Sequence, residues 1–327
     1  MSSSPNKRPN TFTQSNQNPL IVSVARTPIT QFATGALASL KATELGSIAI
    51  KGVLSRSKIS PNAIQEVYFG QVLQGSSGQA PARQASLGAG LPKSVICTTV
   101  NKVCASGMKS IMLGAQSIKC GDNEIVIAGG MESMSQVPRY LHRSAPFYGN
   151  LEILDGILHD GLTDAYGKYH MGICAENACK QHGISRQDQD FYAITSYKRS
   201  MAAHESGELA KEIVPVEIIS KKTGAPSKIV DTDEEFHKID FDRIPKLKPA
   251  FDRESGTVTA ANASTLDDGA AATLLMSPRA VDRHKVSPLA EIVGFADAAC
   301  DPIDFPLAPA LSIPKVSSNS CLSTQRC

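Results

Sequence analysis

The first third of the chain alternates between short apolar runs and longer stretches with helical periodicity. Residues 43–56 carry apolar side chains on one helical stripe, which predicts an amphipathic helix. A second helix is predicted after Ser106 and ends at Gly121. The apolar runs of strand length are Leu20–Val24, Val67–Phe69, Val95–Val100 and Glu124–Ala128. Strands that alternate with helices in this way predict an α/β fold with a parallel sheet covered on both faces.

The pattern loosens after about Gln136 and becomes regular again near residue 258. The region between, 138–257, is rich in loops, with helices predicted over 171–181 and 186–206 and a strand across Val214, Val216 and Ile218. Regular structure is predicted to return at Thr257–Asn262, at Ala270–Met276 and in a helix begun by Ser277 and Pro278. We therefore interpret 138–257 as an insertion into a sheet domain made of 19–137 and 258–287.

The last forty residues or so predict the start of a second unit. Leu289–Ala296 has strand character, but the four Pro and the Ser-rich stretch after it predict no further helix or strand. A strand without partners would leave backbone groups and an apolar face exposed. We expect 288–315 to begin a second domain that is largely missing.

Composition and charge limit the possible functions. The 327 residues predict more than one folding unit, or one large α/β domain with an insertion. The hydrophobic share of 42% includes only 5% aromatic residues and no Trp, so the core must be built from Ala, Ile, Leu and Val. A net charge of +2 gives no general attraction for nucleic acid or membranes, and neither is predicted as a partner. An anionic ligand would need a local cluster of basic residues.

The cysteines and the termini predict a location inside the cell. The eight Cys form no CxxC pair and no zinc-like spacing with His, which favours reduced thiols. Residues 1–18 lack the apolar segment of a secretory signal and carry only Lys7 and Arg8 as basic residues. We expect them to be a disordered tail rather than a mitochondrial transit peptide, and the cytosol is the predicted compartment, with peroxisomes and mitochondria as alternatives.

Cys104 is the leading candidate for chemistry. It lies in NKVCASGMKS, where a predicted strand passes into a predicted helix. A helix N-terminus stabilises a thiolate, which is the reactive form of cysteine, and the small residues that follow allow a substrate close to the sulfur. The alternative is a buried structural cysteine. The other cysteines are predicted to be core or incidental residues.

Six segments together resemble the thiolase family in the same order along the chain, over about residues 19–315. Besides NKVCASGMKS they are ARTPIT (25–30), GQAPARQA (78–85), AGGMESMS (128–135), HMGICAEN (170–177) and GTVTAANASTLDDGAAA (256–272). The resemblance implies a thiolase-like layered αβα fold, with 316–327 as a tail foreign to the family and Cys104 as the nucleophile that carries an acyl group as a thioester.

Within the family, DGLTDAYGKYHMG and TAANAS resemble the branch that joins two acetyl-CoA into acetoacetyl-CoA plus CoA, reversibly. This implies an acetyl-CoA C-acetyltransferase at the first step of isoprenoid precursor synthesis through mevalonate, in a homodimer or homotetramer. A 3-ketoacyl-CoA thiolase of fatty-acid degradation is a less favoured alternative.

The resemblance also implies which residues bind ligands. CoA, the substrate carrier, would contact Tyr166, His170, Met171, Lys238, Ile239, Asp240, Arg243 and Ser264. Potassium would be held by Tyr166, Ala260, Ala261 and Ala263, the alanines through their carbonyl oxygens. Taken singly, His170 is as well explained as a structural histidine, Lys238 and Arg243 as solvated charges and Ser264 as a helix cap. Lys221, Lys222, Lys246 and Lys248 would add local positive charge for the phosphates of CoA.

Three thiolase motifs do not occur in this sequence. They are Asn-Glu-Ala-Phe, Gly-His-Pro and Cys-x-Gly-Gly, which supply an oxyanion-hole Asn, the His that activates the nucleophile and an acid–base Cys. Cys321 and Cys327 lack the Gly-rich setting of that second cysteine. A second hypothesis is therefore a catalytically silent chain that binds CoA or other subunits.

Overall fold

A computed structural model describes residues 18–144, 148–219 and 227–319, without the side chains of Lys238 and Asn319. The predicted disordered tail, up to residue 17, lies outside the described residues. The strands are β1 (Leu20–Arg26), β2 (Thr30–Gln31), β3 (Glu66–Gly70), β4 (Ile96–Val100), β5 (Ile125–Ser133), β6 (Arg139–Leu141), β7 (Ile153–Asp155), β8 (Val216–Ile218), β9 (Lys228–Val230), β10 (Asp267–Met276) and β11 (Ala290–Glu291). The helices are α1 (Ala42–Ser57), α2 (Pro81–Gly88), α3 (Ser106–Cys120), α4 (Met171–His182), α5 (Arg186–Glu205), α6 (Pro278–His284) and α7 (Ala308–Asn319).

Side chains at the helix ends explain where several helices begin and end. The Ser185 hydroxyl and the Asp188 carboxylate form a capping box at the start of α5, as their spacing predicts. The Ser277 hydroxyl accepts the Ala280 N–H at the start of α6. Gly121 ends α3 with a φ of 82°, a conformation that glycine adopts without steric cost. These local signals fix the boundaries independently of the core.

The main sheet has the order β11-β1-β10-β5-β3-β4, with β2 beside β10. β3 runs parallel to β4 and β5, whereas β10 is antiparallel to β1 and β5. The prediction of a parallel sheet is therefore wrong for the sheet as a whole. Asp268 at the start of β10 pairs with Ser133 at the end of β5, so the chain leaves and re-enters the sheet at the same end. A strand that re-enters there must run antiparallel to the strand that left.

Helices cover both faces of this sheet. On one face, α1 and α2 pack Leu45, Val53 and Ala85 into the larger core, against strand residues such as Phe69 and Leu274. On the other face, Ile118 of α3 packs on Val126, Ala128 and Leu275. Burial of these apolar side chains is the main stabilising contribution of each layer. The layered αβα arrangement of an α/β fold is confirmed.

Several elements differ from the sequence prediction. The short helix α2 lies in a Gly- and Ala-rich stretch for which no element was predicted, and Pro81 opens it at a position that tolerates proline. α7 is helical where an irregular tail was expected. The strand expected over Leu289–Ala296 shrinks to Ala290–Glu291, which pairs with β1. Regular structure was predicted over Thr257–Asn262, but residues 257–259 are irregular and residues 260–262 form a turn. No helix in the described ranges is both long and apolar enough to cross a membrane.

The region between β5 and β10 is tied to the sheet by Arg26, at the end of β1. Its guanidinium donates to both carboxylate oxygens of Asp233, at 2.7 and 2.9 Å, and to Glu212 at 2.7 Å. Such a bidentate pair has a fixed geometry. The region contains the hairpins β6–β7 and β8–β9 together with α4 and α5.

Candidate functional site

Cys104 lies in the turn between β4 and α3. Strand β4 ends at Val100 and α3 begins at Ser106, so the cysteine precedes the helix by two residues. Its side chain is exposed, unlike that of Cys174, which is buried. The alternative of a buried structural cysteine is therefore inconsistent with the structure.

Side-chain hydrogen bonds hold this turn in an unusual conformation. Val103 has a φ of +48°, in the left-handed region where β-branched residues are rare. The Asn101 Oδ1 accepts the Val103 N–H at 3.0 Å. The Ser106 hydroxyl accepts the Lys102 N–H at 2.8 Å and donates to the Val103 carbonyl at 2.6 Å. A left-handed conformation at a β-branched residue is energetically unfavourable and persists only where its surroundings fix it, as the hydrogen bonds of Asn101 and Ser106 do here.

Glycines let the start of α3 rest directly on the sheet. A Cβ on Gly70, at the end of β3, would lie 2.6 Å from the Ser106 carbonyl carbon and 2.7 Å from the Gly107 nitrogen. A Cβ on Gly130 of β5 would lie 3.2 Å from the Gly107 Cα. Backbone therefore packs on backbone, and the position of the helix start follows from the ends of two parallel strands. Such strand ends are where open α/β sheets hold ligands.

Charged groups flank the same turn. Lys102 and Lys109 both pair with the carboxylate of Asp297, Lys109 at 2.6 Å. Hydrogen bonds from these two lysines hold the pKa of Asp297 below its usual range. The pairs are partly exposed, so their energetic value is small. They link the start of α3 to the segment that follows β11.

His170 and Met171 lie at the start of α4. The His170 Nδ1 accepts the Gly172 N–H at 3.0 Å, and the ring stacks on Phe251 with 4.8 Å between centroids. Burial lowers the pKa of His170. A ring whose Nδ1 accepts is neutral and carries its proton on Nε2, which remains available as a donor. Sequence reasoning missed Phe251, because no pattern in its own segment marks it.

A cavity of about 600 Å³ lies between α5 and the turn 261–265. The cavity contains three of the predicted ligand-binding residues, Ala261, Ala263 and Ser264, together with Tyr192, Tyr197 and Phe236. Tyr166 does not line it and is 90% exposed. Ala260, His170 and Met171 are not among its lining residues either. Tyr197 is thus the tyrosine that lines the cavity together with Ala261 and Ala263, while the role expected for Tyr166 stays a prediction.

A buried ion pair supports this turn. The Asp190 carboxylate, in a residue only 6% exposed, accepts from Arg186 at 2.8 Å and from the Asn262 amide at 3.0 Å. The Arg186 guanidinium also donates to the carbonyls of Ile244 and Leu247. One helix therefore positions two segments that are far apart in sequence. The residue types gave no signal for this role, because Arg and Asp at helical spacing are most often a surface pair.

The oxygen atoms near Tyr197 suit a hard cation. Burial, followed by the charges of Glu235 and Asp267, raises the pKa of Tyr197. Burial likewise raises the pKa of Asp267, against the hydrogen bond that its Oδ2 accepts from the Thr265 hydroxyl at 2.6 Å. The described chain has no group of three or more His, Cys, Asp or Glu residues that could hold a metal ion. Carbonyl, phenol and carboxylate oxygens together remain a fitting donor set for potassium.

The remaining predicted residues form an exposed turn. The Asp240 carbonyl accepts the Arg243 N–H at 3.1 Å, and Ile239 precedes them. Arg243, Lys246 and Lys248 are exposed and form no salt bridge with another described residue. The backbone of Lys238 ends the short helical turn Glu235–Lys238, while its side chain, like all of Lys221 and Lys222, lies outside the described residues. Within the part of the chain that the structure describes, Arg243, Lys246 and Lys248 thus carry positive charge on this turn with no carboxylate paired to them.

Comparisons with known proteins identify the family of this chain. The family model "Thiolase, N-terminal domain" matches residues 20–279. The "Acetyl-CoA acetyltransferase, mitochondrial" of Danio rerio is 59% identical over 297 residues, which cover 91% of this chain and 70% of the relative. The protein of the same name from Bos taurus is 56% identical over 306 residues, 94% of this chain and 72% of the relative.

A solved thiolase structure is also similar to this chain. It is described as "Crystal structure of Acat5 thiolase from Ascaris suum in complex with coenzyme A". The TM-score is 0.88 at 40% identity, over 94% of this chain and 78% of that one. The word "mitochondrial" in the names of the curated relatives contradicts the cytosolic prediction, which is wrong. The matched segments and the shared fold establish that this chain belongs to the thiolase family.

Proposed function

We propose that this chain is an acetyltransferase acting on acetyl-CoA in mitochondria, with Cys104 as the residue that accepts the acetyl group. The observation that carries the proposal is the exposed Cys104 in a turn fixed by Asn101 and Ser106, directly before α3. The names of relatives at 56–59% identity support the choice of acetyl-CoA. Supply of isoprenoid precursors remains a prediction from the resemblance alone.

The first half of the reaction needs one nucleophile. The Cys104 sulfur, as thiolate, attacks the thioester carbonyl, the bond between carbonyl carbon and CoA sulfur breaks, and CoA leaves as a thiolate that takes up a proton. The acetyl group then resides on Cys104. Carbon–carbon bond formation with a second acetyl-CoA requires proton abstraction from its methyl group. In the family the second Cys abstracts this proton and the His activates the nucleophile, and the motifs of both do not occur in this sequence. We therefore assign only acceptance of the acetyl group, by Cys104, to a residue of this chain.

We propose that CoA runs past His170, Met171 and Phe251 toward the basic turn. The neutral His170 and its stacked Phe251 offer an apolar wall for the pantetheine arm, as expected for a small-molecule site. Ser264 at the cavity edge would donate a hydrogen bond to the arm. The exposed Arg243 with Lys246 and Lys248, together with Lys238, Ile239 and Asp240, would meet the nucleotide end.

Potassium is proposed beside the alanine turn. The carbonyl oxygens of Ala260, Ala261 and Ala263 and the hydroxyl of Tyr197 would hold it, with Tyr197 taking the role that the resemblance gave to Tyr166. A bound cation would offset the buried carboxylate charge of Asp267 and stiffen the turn that carries Ser264.

Larger-scale features remain proposals of the same kind. We propose that 138–257 is an inserted CoA-binding region and that the chain forms a homodimer or homotetramer. The outer position of β4 in the sheet, with Ile96 61% exposed, supports association through that edge.

Isotope exchange between free CoA and acetyl-CoA tests the proposal, because it needs only the first half-reaction. We expect the protein to move labelled CoA into acetyl-CoA, Cys104→Ser to abolish this exchange, and Cys120→Ser, at another exposed cysteine, to leave it intact. Retained CoA binding with no exchange would favour the alternative of a catalytically silent chain. Exchange that survives in Cys104→Ser would refute the assignment of the nucleophile.

A further inference from the structure

Glu132 is a carboxylate that the proposed chemistry does not use. It lies near the end of β5, in the segment AGGMESMS, with its head group turned toward the loop after β3. The Oε2 accepts the Val72 N–H at 2.9 Å and the Oε1 accepts the Leu73 N–H at 3.3 Å. No lysine, arginine or histidine among the described residues pairs with it. The Glu132 carboxylate therefore fixes the backbone at Val72 and Leu73 and does not neutralise a positive side chain among the described residues.

Two further hydrogen bonds continue from this loop to the cysteine. The Val72 carbonyl accepts the Asn101 amide N–H at 3.3 Å. The Asn101 Oδ1 in turn accepts the N–H of Val103, the residue before Cys104. The loop is also tied to β4 by the Gln71 N–H, which donates to the Val100 carbonyl at 3.0 Å. A continuous path of contacts thus joins Glu132 to the left-handed residue that aims the sulfur.

We propose that Glu132 is a positioning residue for Cys104, acting through Val72 and Asn101 to hold Val103 in its left-handed conformation. The inference rests on the proposed role of Cys104 as the acyl acceptor. A carboxylate that accepts two N–H groups forms stronger hydrogen bonds than a neutral carboxyl group does. A small displacement of a reacting atom by a distant residue is enough to lower a rate greatly.

If Glu132 positions Cys104, the reactivity of Cys104 should depend on the protonation state of Glu132. A residue that only stabilises the fold would not produce this pH dependence. Burial raises the pKa of Glu132 to about 7, against which the two N–H groups act in the opposite direction. No charged side chain contributes to this pKa, so the group titrates without a coupled neighbour. As the pH falls through about 7, the carboxylate takes up a proton and the two hydrogen bonds weaken. The order of the turn should then fall over the same pH interval.

The test measures alkylation of Cys104 by iodoacetamide at peptide resolution, as a function of pH, with Cys120 as the internal reference. We expect Glu132→Gln to slow Cys104 alkylation severalfold at neutral pH, because a loosened turn holds the thiolate less well at the helix N-terminus, and to remove the inflection near pH 7. Glu66→Gln is the matched control, since the Glu66 carboxylate accepts from Asn123 at the far end of β3. It should leave both rate and profile unchanged.

Asn101→Ala tests the same path from an exposed position and keeps the proposal falsifiable if Glu132→Gln misfolds. We expect a similar loss, and little additional loss when the two changes are combined, because residues that act through one path are not additive. Additive losses, or an unchanged rate and profile in Asn101→Ala, would overturn the proposal. Because alkylation needs no CoA, a failure of isotope exchange with these effects intact would count against the proposed function alone.

Discussion

At the scale of single residues, the site depends on contacts that tolerate almost no added volume. Gly70 meets the backbone of Ser106 and Gly107 at distances that no Cβ permits. Gly107, one residue into α3, has its nearest neighbour for a Cβ at 3.8 Å, which is ordinary contact. Gly70 and Gly107 face each other across one interface, but only Gly107 has room for a side-chain methyl group.

This difference predicts opposite outcomes for two alanine substitutions. Gly70→Ala should destabilise the fold by about 1–3 kcal/mol, because immovable backbone stands where the methyl group would go. Gly107→Ala should be neutral or slightly stabilising, because alanine favours a helix over glycine. Denaturant unfolding of both variants measures the contrast. Equal stabilities would mean that the start of α3 does not rest on β3 as described.

Tyr197 and Tyr166 give a second contrast between single residues. If the cavity beside the alanine turn holds potassium, the melting temperature should be higher in KCl than in NaCl at equal ionic strength, because binding to the native state stabilises it. Tyr197→Phe should reduce this difference, since it removes the hydroxyl of a tyrosine that lines the cavity. Tyr166→Phe should retain it, because that ring is almost fully exposed. The reverse result would restore the residue that the resemblance favoured.

At the scale of elements, α5 connects both parts of the proposed CoA site. Asp190 and Arg186, one turn apart, reach the turn with Ser264 through Asn262 and the basic segment through the carbonyls of Ile244 and Leu247. A helix with a rigid backbone holds these segments in fixed register. Buried ion pairs of this kind add little net stability, but removing one partner leaves an uncompensated charge.

Asp190→Asn should destabilise the protein by about 1–3 kcal/mol, because it weakens the hydrogen bonds that Arg186 and Asn262 donate, and it should weaken CoA binding as well. Glu208→Gln is a suitable control, because Glu208 forms only an exposed pair with Lys211 after the same helix. It should change neither quantity. Thermal unfolding and calorimetric titration with CoA measure both effects. Unchanged CoA affinity in folded Asp190→Asn would show that α5 does not organise the site.

At the scale of the whole molecule, the sequence predicts those features that arise from local patterns. Helix boundaries follow from caps such as Ser185 and Ser277, and the cysteine turn follows from the shift between strand and helix periodicity. Residues far apart in sequence escaped such reasoning. The antiparallel direction of β10 depends on the end of the sheet at which the chain returns after the insertion. The hydrogen bond between Asp190 and Asn262 joins residues 72 positions apart.

Among the proposed ligand-binding residues, too, neighbours in sequence were predicted to lie together, whereas contacts between distant residues were not. The resemblance assigned ligand-binding roles to Ala261, Ala263 and Ser264, and these three residues line one cavity because they share a single turn. Tyr197 lines the same cavity because α5 packs beside that turn, and no pattern in the sequence around Tyr197 predicts this placement. The compartment was assigned wrongly because residues 1–18 carry few basic side chains, whereas the relatives that overturn the assignment are named for mitochondria.

The most direct measurement of the central claim is mass mapping of the cysteines after brief exposure to acetyl-CoA and acid quenching. We expect an added acetyl group on the peptide that contains Cys104, removable by hydroxylamine as a thioester is, and none on the peptides that contain Cys97 or Cys120. An acetyl group found on another cysteine, with Cys104 unmodified, would contradict the assignment of Cys104 as the acyl acceptor.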